Sequence, residues 1–483
     1  MKDLRPVFAA VGALLCILAA AMLLPAIVDA DDGNDNWVVF LISALLTLFF
    51  AVSVMLAASQ STGSRITVRQ TFILTTLAWV LMTAFAAIPF AIADIGLSPV
   101  DALFEAMSGI TTTGATVMTD LSSKPPGILL WRAILQWIGG VGIIVMSLAV
   151  LPMLQIGGMQ LFRTESSDKL EKILPRATQF ASNIGGIYVG LTVLCIIAYY
   201  IAGMGLFDAV CHALTTLSTG GFSTYDASIG QFASPAIEWT AVVFMLIGGV
   251  SFGTLVLAVN GRPRAFLQDS QLHWFLGACL VATVIITVWL LSNVHTEVHR
   301  AVRETAFSVV AIITGTGYAA VDYGLWGHFS FAAFFALMFL GGCTGSTTGG
   351  IKVFRFQILF ITMRRQFFSL VHPHGVRNPT YNGQVVPPEV AVAVTSFFFL
   401  YGLSVMVVAI LLGMYDLDFL TAISAAASAV GNVGPGLGDV IGPSGNYATL
   451  PDGAKLILAF AMLLGRLELF TVLVLFNPEF WRG

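Results

Sequence analysis

Ten runs of about twenty apolar residues, almost free of charge, divide the chain near 7–28, 36–57, 71–93, 128–153, 183–203, 237–259, 271–292, 329–349, 390–412 and 454–476. A helix of that length crosses the roughly 30 Å hydrocarbon core of a bilayer. Only 10% of the 483 residues are charged, whereas water-soluble domains carry about a quarter. So little charge cannot cover a water-facing surface, and an all-α membrane protein is expected. The first run follows Lys2 and Arg5, the outline of a signal peptide. It is longer than an ordinary signal core and no A-x-A-like site follows, so a retained helix is expected. An amphipathic piece at 351–370, with Lys352, Arg355, Arg364 and Arg365, continues the eighth run.

Lys and Arg in the connections orient such a chain, because they resist translocation. With the N-terminus in the cytoplasm, 16 of 22 basic residues fall inside: Lys2, Arg5, Arg65, Arg69, Arg163, Lys169, Lys172, Arg176, Arg262, Arg264, Lys352, Arg355, Arg364, Arg365, Arg377 and Arg482. Lys124, Arg132, Arg300, Arg303 and Lys455 fall outside, and Arg466 lies within a run. Both termini are therefore expected in the cytoplasm. The net charge of −4 gives nucleic-acid binding no electrostatic basis. Cys16, Cys195, Cys211, Cys279 and Cys343 form no CxxC pair and read as small packing residues.

Four outer connections share one pattern. Semi-apolar stretches at 101–109, 207–217, 302–313 and 418–430, too short to span, lead into TTTGAT (111–116), STGGFS (218–223), TGTGYA (314–319) and GNVGPG (431–436). Gly114, Gly221, Gly317 and Gly434 then fall in register at intervals of 107, 96 and 117 residues, each holding one helix, one loop and one more helix. The last eight runs read as four pseudo-symmetric helix–pore loop–helix repeats around a central pore, since internal repetition decides architecture before local detail. The expected division is 1–62 for an extra N-terminal helix pair, then 63–165, 166–262, 263–378 and 379–483 for the repeats.

Non-helical backbone at membrane depth survives only against protein or water. Four such loops would satisfy one another on a common axis, where main-chain carbonyls can replace a cation's hydration shell. Glycine supplies the backbone angles this needs. Close helix packing explains any one glycine motif as well; four at matched positions favour a cation pore. Thr112, Thr113, Ser218, Thr219, Thr314 and Thr316 add hydroxyls, and Gly220, Gly315, Asn432 and Val433 complete the four stretches. The short preceding helices would aim their negative C-terminal ends at the pore. By this topology 18 of 26 acidic residues are outside, among them Asp29, Asp31, Asp32, Asp35, Asp94, Asp101, Asp208, Asp226, Asp322, Asp416, Asp418 and Asp439. As a set they would draw cations to the mouth.

Two features lie below these loops. LGGCTGSTTGGIK at 340–352 interrupts an apolar run with five glycines and four hydroxyl residues; it reads either as a flexible blocking loop or as a kinked, tightly packed helix. Arg466, some ten residues from either end of its run, is too costly there without water or a partner. A fixed positive charge below a cation filter would hinder passage. Glu468 is not expected to face it, being two residues on. A solute carrier with broken helices would need inverted repeats, whereas these four copies run one way. A membrane enzyme would need clustered catalytic groups, and the chain has no HExxH and no phosphate-binding loop in a strand–helix context.

The four loops, LGGCTGSTTGGIKVFR and the terminal GRLELFTVLVLF together resemble the Trk/Ktr/HKT superfamily of potassium transporters over essentially the whole chain. The two extra N-terminal helices are similar to its TrkH/TrkG branch. The resemblance implies potassium uptake across the bacterial inner membrane, with K+ as substrate and no covalent cofactor. It implies a homodimer with a pore in each protomer. It also implies a cytosolic TrkA-like Rossmann-type regulatory subunit, through which alone a nucleotide (ATP/ADP or NAD) would act. By the same resemblance the filter glycines are Gly114, Gly221, Gly317 and Gly434, and the pore arginine is Arg466. The gating loop comprises Gly341, Gly342, Thr344, Gly345, Ser346, Thr347, Thr348, Gly349 and Gly350. In related plant proteins a serine at the first filter glycine goes with sodium preference, so Gly114 implies potassium. Pro435 departs from the family pattern, so the fourth loop is expected to be less regular. Channel-like passage and sodium- or proton-coupled symport remain alternatives at this stage.

Overall fold

A computed structural model describes residues 4–58, 67–147, 177–294, 296–376 and 378–482. Of the basic residues used for orientation, Lys2, Arg65, Arg163, Lys169, Lys172, Arg176 and Arg377 lie outside them. The N-terminal pair consists of α1 (Arg5–Ala21) with α2 (Leu23–Asp31), and α3 (Asn36–Ala58). Their apolar residues point every way round, and over much of their surface they meet no other part of the chain, as lipid-facing helices should.

The first repeat comprises α4 (Val68–Ala86) with α5 (Ile88–Ile92), the short α6 (Pro99–Ile110) and α7 (Pro126–Val145). The second comprises α8 (Ala177–Ile201), the short α9 (Leu206–Leu217), and α10 (Pro235–Gly248) with α11 (Phe252–Val259), followed by α12 (Pro263–Leu267). The third comprises α13 (Ser270–Asn293), the short α14 (Val298–Ile313), α15 (His328–Leu337) and α16 (Val353–Val371). A small hairpin, Thr380–Tyr381 against Gln384–Val385, leads to the fourth. That repeat comprises α17 (Pro388–Gly413), the short α18 (Phe419–Gly431), α19 (Asp452–Arg466) and α20 (Phe470–Leu473), before the terminal α21 (Pro478–Arg482).

The short helices are set by their caps. Ser98 and Asp101 cap α6 reciprocally, with Pro99 in the first turn. Asp418 caps α18 by accepting the Thr421 N–H. Twelve residues in α6 reach about 18 Å, so these helices enter the membrane thickness without crossing it. They are the most enclosed elements: Ala102 and every residue from Phe104 to Ile110 are buried. Each of the first three packs on the central helix of the repeat before it: α6 on α19, α9 on α7, and α14 on α10. With α16 packed on α17 to join the third repeat to the fourth, the repeats close into a ring. In α7 72% of the most apolar stretch is buried, against 28% in α8, α13 and α17, which puts α7 at the centre and the others toward lipid.

Among the described residues, three of the ten expected spans are sharply broken. Those at 237–259 and 454–476 bend by 94° and 106° at Gly249–Ser251 and Leu467–Leu469. The eighth holds only the ten residues of α15, after which the chain leaves helical form until Val353. Seven described helices are long and apolar enough to cross a membrane, and nine if each bent pair counts once.

Candidate functional site

The four glycine motifs adopt one backbone pattern. Thr112, Thr219, Gly315 and Asn432 stand at φ 51°, 51°, 67° and 52°, and Gly114, Gly221, Gly317 and Gly434, two residues later, at 84°, 79°, 73° and 105°. Left-handed angles are rare for side chains with a Cβ, so three non-glycine residues there mark backbone held by its surroundings. The alternation reproduces the register read from the sequence. Pro435 leaves it intact.

The strands meet in a closed cycle. A Cβ at Gly114 would overlap the Gly220 carbonyl oxygen, one at Gly221 the Thr316 oxygen and one at Gly317 the Val433 oxygen. One at Gly434 would lie 2.7 Å from the Thr113 oxygen. Each glycine is thus the only residue that fits beside its neighbour's carbonyl. A cavity of about 100 Å³ opens on the ring and is lined by all four glycines together with Ala115, Thr116, Arg132, Asp226, Pro435 and Tyr447.

Buried carbonyls ordinarily have donors. Those of Thr112, Thr113, Thr219, Gly315, Thr316, Asn432 and Val433 have none among the described residues, although every one of these residues is buried. Thr112 Oγ1 is likewise buried without a partner. What the arrangement offers is a ring of oxygens that meet no donor among the described residues, a chemistry suited to a bare monovalent cation.

Residues that the sequence did not single out hold the strands from behind. Glu105 accepts from Thr116 Oγ1 and the Val117 N–H, and pairs at 2.8 Å with Arg132, which also donates to the Ser223 carbonyl. Gln136 donates to the Gly220 carbonyl at 2.7 Å and accepts from the Phe222 N–H at 3.0 Å. Tyr318 joins Thr215, while Ser428 and Tyr447 both donate to the Gly434 carbonyl at 2.9 Å. Arg132, expected in an outer connection, is buried within α7. A polar residue inside an apolar run was the available signal for Glu105, Arg132 and Gln136; nothing local distinguishes Tyr447.

Of the aspartates expected at the mouth, Asp226 lines the cavity and accepts the Leu121 N–H. Asp101 binds Lys455 at 2.6 Å, Asp208 binds Thr224, and Asp29 receives the Gly127 N–H. Hydrogen bonds from Thr421 hold the Asp418 carboxyl below the usual carboxylate range, so it remains an anion and a cap at neutral pH. These carboxylates tie elements together rather than all facing the cavity.

The glycine-rich segment is a buried loop, not a kinked helix. Leu340 and Ile351 bridge its ends, where the Gly341 N–H donates to the Ile351 carbonyl; Cys343 and Thr347 donate backbone N–H groups to Gly249 and Gly248 at the bend after α10, and Gly350 donates to Gly431 at the end of α18. Its Thr347 hydroxyl reaches the Leu217 and Gly248 carbonyls and receives Thr219 Oγ1 at 3.2 Å. The loop therefore touches the base of the second and fourth strands. Arg466 ends α19 at the bend, not in mid-span, and donates to the Thr347 carbonyl at 2.9 Å. Lys352 donates to the Thr348 carbonyl and, at 3.0 Å, to its hydroxyl. Glu468 pairs with Arg355 at 2.5 Å and not with Arg466. Among the described residues no cluster of His, Cys, Asp and Glu could hold a metal ion.

The family model described as "TrkH: Cation transport protein" matches residues 39–482. The Trk system potassium uptake protein TrkI of Halomonas elongata is 42% identical, covering 100% of this chain and 98% of that protein. TrkH of Escherichia coli K12 is 36% identical over 99% of each chain, and TrkG of the same strain 34% over 98% and 97%. The crystal structure of the potassium transporter TrkH from Vibrio parahaemolyticus superposes with a TM-score of 0.91 at 35% identity, covering all of both chains.

Proposed function

This chain belongs to the TrkH family of cation transport proteins, and on that premise we propose that it takes up potassium through the ring formed by Gly114, Gly221, Gly317 and Gly434. It is a TrkH/TrkG-type membrane transporter, not an enzyme. The observation that carries the reading is the set of buried carbonyls at 112–113, 219, 315–316 and 432–433 that meet no donor among the described residues. A dehydrated K+ supplies the missing positive charge, and the loop at 341–350 with Arg466 bars its way below. The short helices α6, α9, α14 and α18 point their C-terminal ends toward it, which favours a cation there.

In this reading the chain lies in the bacterial inner membrane with both termini in the cytoplasm and the cavity facing out. Residues 1–62 form an accessory pair, and 63–165, 166–262, 263–378 and 379–483 form the four pore repeats. The name Trk system, borne by the relatives, supports partner subunits; here these are a second copy of the chain and a TrkA-like nucleotide-binding subunit at the cytoplasmic face. Rubidium uptake into liposomes tests the reading. Sodium competes weakly with the native protein, and Gly221→Ser, whose side chain would strike the Thr316 oxygen, abolishes that preference. Equal competition in both proteins would overturn it.

A further inference from the structure

The four strands share a backbone but not their hydrogen bonds. At the level of Thr113, Gly220, Thr316 and Val433, each carbonyl stands in the same relation to the neighbouring glycine. Three of them meet no donor among the described residues; the fourth, Gly220, receives Gln136 Nε2 at 2.7 Å. One level on, the Gly434 carbonyl receives both Ser428 Oγ and Tyr447 Oη at 2.9 Å, whereas those of Gly114, Gly221 and Gly317 receive none among the described residues. Gln136 is buried, and its amide is fixed at both ends, because its oxygen holds the Phe222 N–H at 3.0 Å.

We propose that Gln136 is a specificity-determining residue. Its amide hydrogen occupies one lone pair of the Gly220 oxygen and faces the cation with a positive partial charge. The ring at that level then grips its ion with three free carbonyls and one weakened one. Tyr447 does the same to the Gly434 carbonyl one level on. A pore conducts when its sites bind well enough to admit an ion and weakly enough to release it. The two donors set that balance by loosening two successive levels on different strands, while the level of Thr112, Thr219, Gly315 and Asn432 keeps four carbonyls that meet no donor among the described residues. The inference rests on the filter reading above.

The test measures rubidium KM, maximal flux and the rubidium/sodium ratio in liposomes for the native chain, Gln136→Met, Tyr447→Phe and Gly221→Ser, each checked for a native melting temperature. Met at 136 keeps the side-chain length and the neutral charge but offers Gly220 no hydrogen; Phe at 447 loses only the hydroxyl. A neutral hydrogen bond shifts an equilibrium by roughly fivefold, so each of these two variants lowers KM by about that factor and lowers maximal flux with it. A purely structural role would reduce flux with KM and the ion ratio unmoved, and that result overturns the proposal. If Gly221→Ser also leaves the ion ratio unmoved, the filter reading itself has failed; if Gly221→Ser changes it while the other two do not move KM, only the role of Gln136 has.

Discussion

Gly114 combines φ 84° with a neighbouring carbonyl that leaves no space for a Cβ. Serine there must push the Gly220 strand aside and open the ring. Gly114→Ser is expected to cut discrimination between rubidium and sodium by about tenfold, roughly 1.4 kcal/mol between the two ions; competition flux measures it. A second residue-scale expectation concerns Glu468, whose carboxylate lies 2.5 Å from the fully buried guanidinium of Arg355. Removing one partner of a buried pair costs on the order of 3 kcal/mol. Glu468→Gln should therefore lower the melting temperature of the detergent-solubilised protein, while Asp439→Asn, at an exposed site, should not. The glycines were legible in the sequence because a left-handed turn beside a carbonyl leaves few alternatives to glycine. Gln136 and Tyr447 were not, because their roles depend on strands 84 residues and 13 residues away.

At the scale of elements, apolar length located the spans but not where they break. The bends after α10 and α19 fall at GGVS and LEL. The second holds Glu468 and Leu469 at φ 61° and 51°, a conformation that no local preference favours and that only packing imposes. For the same reason the sequence placed Arg466 in mid-span, when it closes α19 against the loop. Arg466 and the Thr347 hydroxyl hold that loop to α19, α9 and α10. Arg466→Ala should raise rubidium flux severalfold, and Thr347→Val should do so to a smaller extent; flux at or below the native level in folded protein would show that they do not bar the path. The caps are separable from the pore. Asp418→Ala removes the hydrogen bond to Thr421 and should cost about 1 kcal/mol, read as a lower melting temperature with the ion ratio unchanged. Because the Asp418 carboxyl is held below its usual range in the folded chain, its contribution is present at neutral pH and is lost as acid protonates it.

At the scale of the whole molecule, fourfold repetition is the strongest signal in the chain, and it points to four loops that meet on one axis. Intervals near a hundred residues, each with its glycine motif between helices, leave few arrangements other than a closed one. Closure itself is physical: α6 on α19, α9 on α7 and α14 on α10 each bury a short polar-ended helix that could not lie in lipid. What repetition could not reveal is the inequality of the copies. The third lost its central helix to the loop at 341–350, and the outer carboxylates went to caps and cross-links such as Asp101 with Lys455. The most direct measurement is anomalous diffraction from crystals grown in rubidium. The account predicts a peak on the ring axis, flanked by the carbonyls of Thr113, Gly220, Thr316 and Val433, that fades when sodium replaces rubidium. Ordered density for the four loops with no peak between them, or a peak equally strong in sodium, would contradict it.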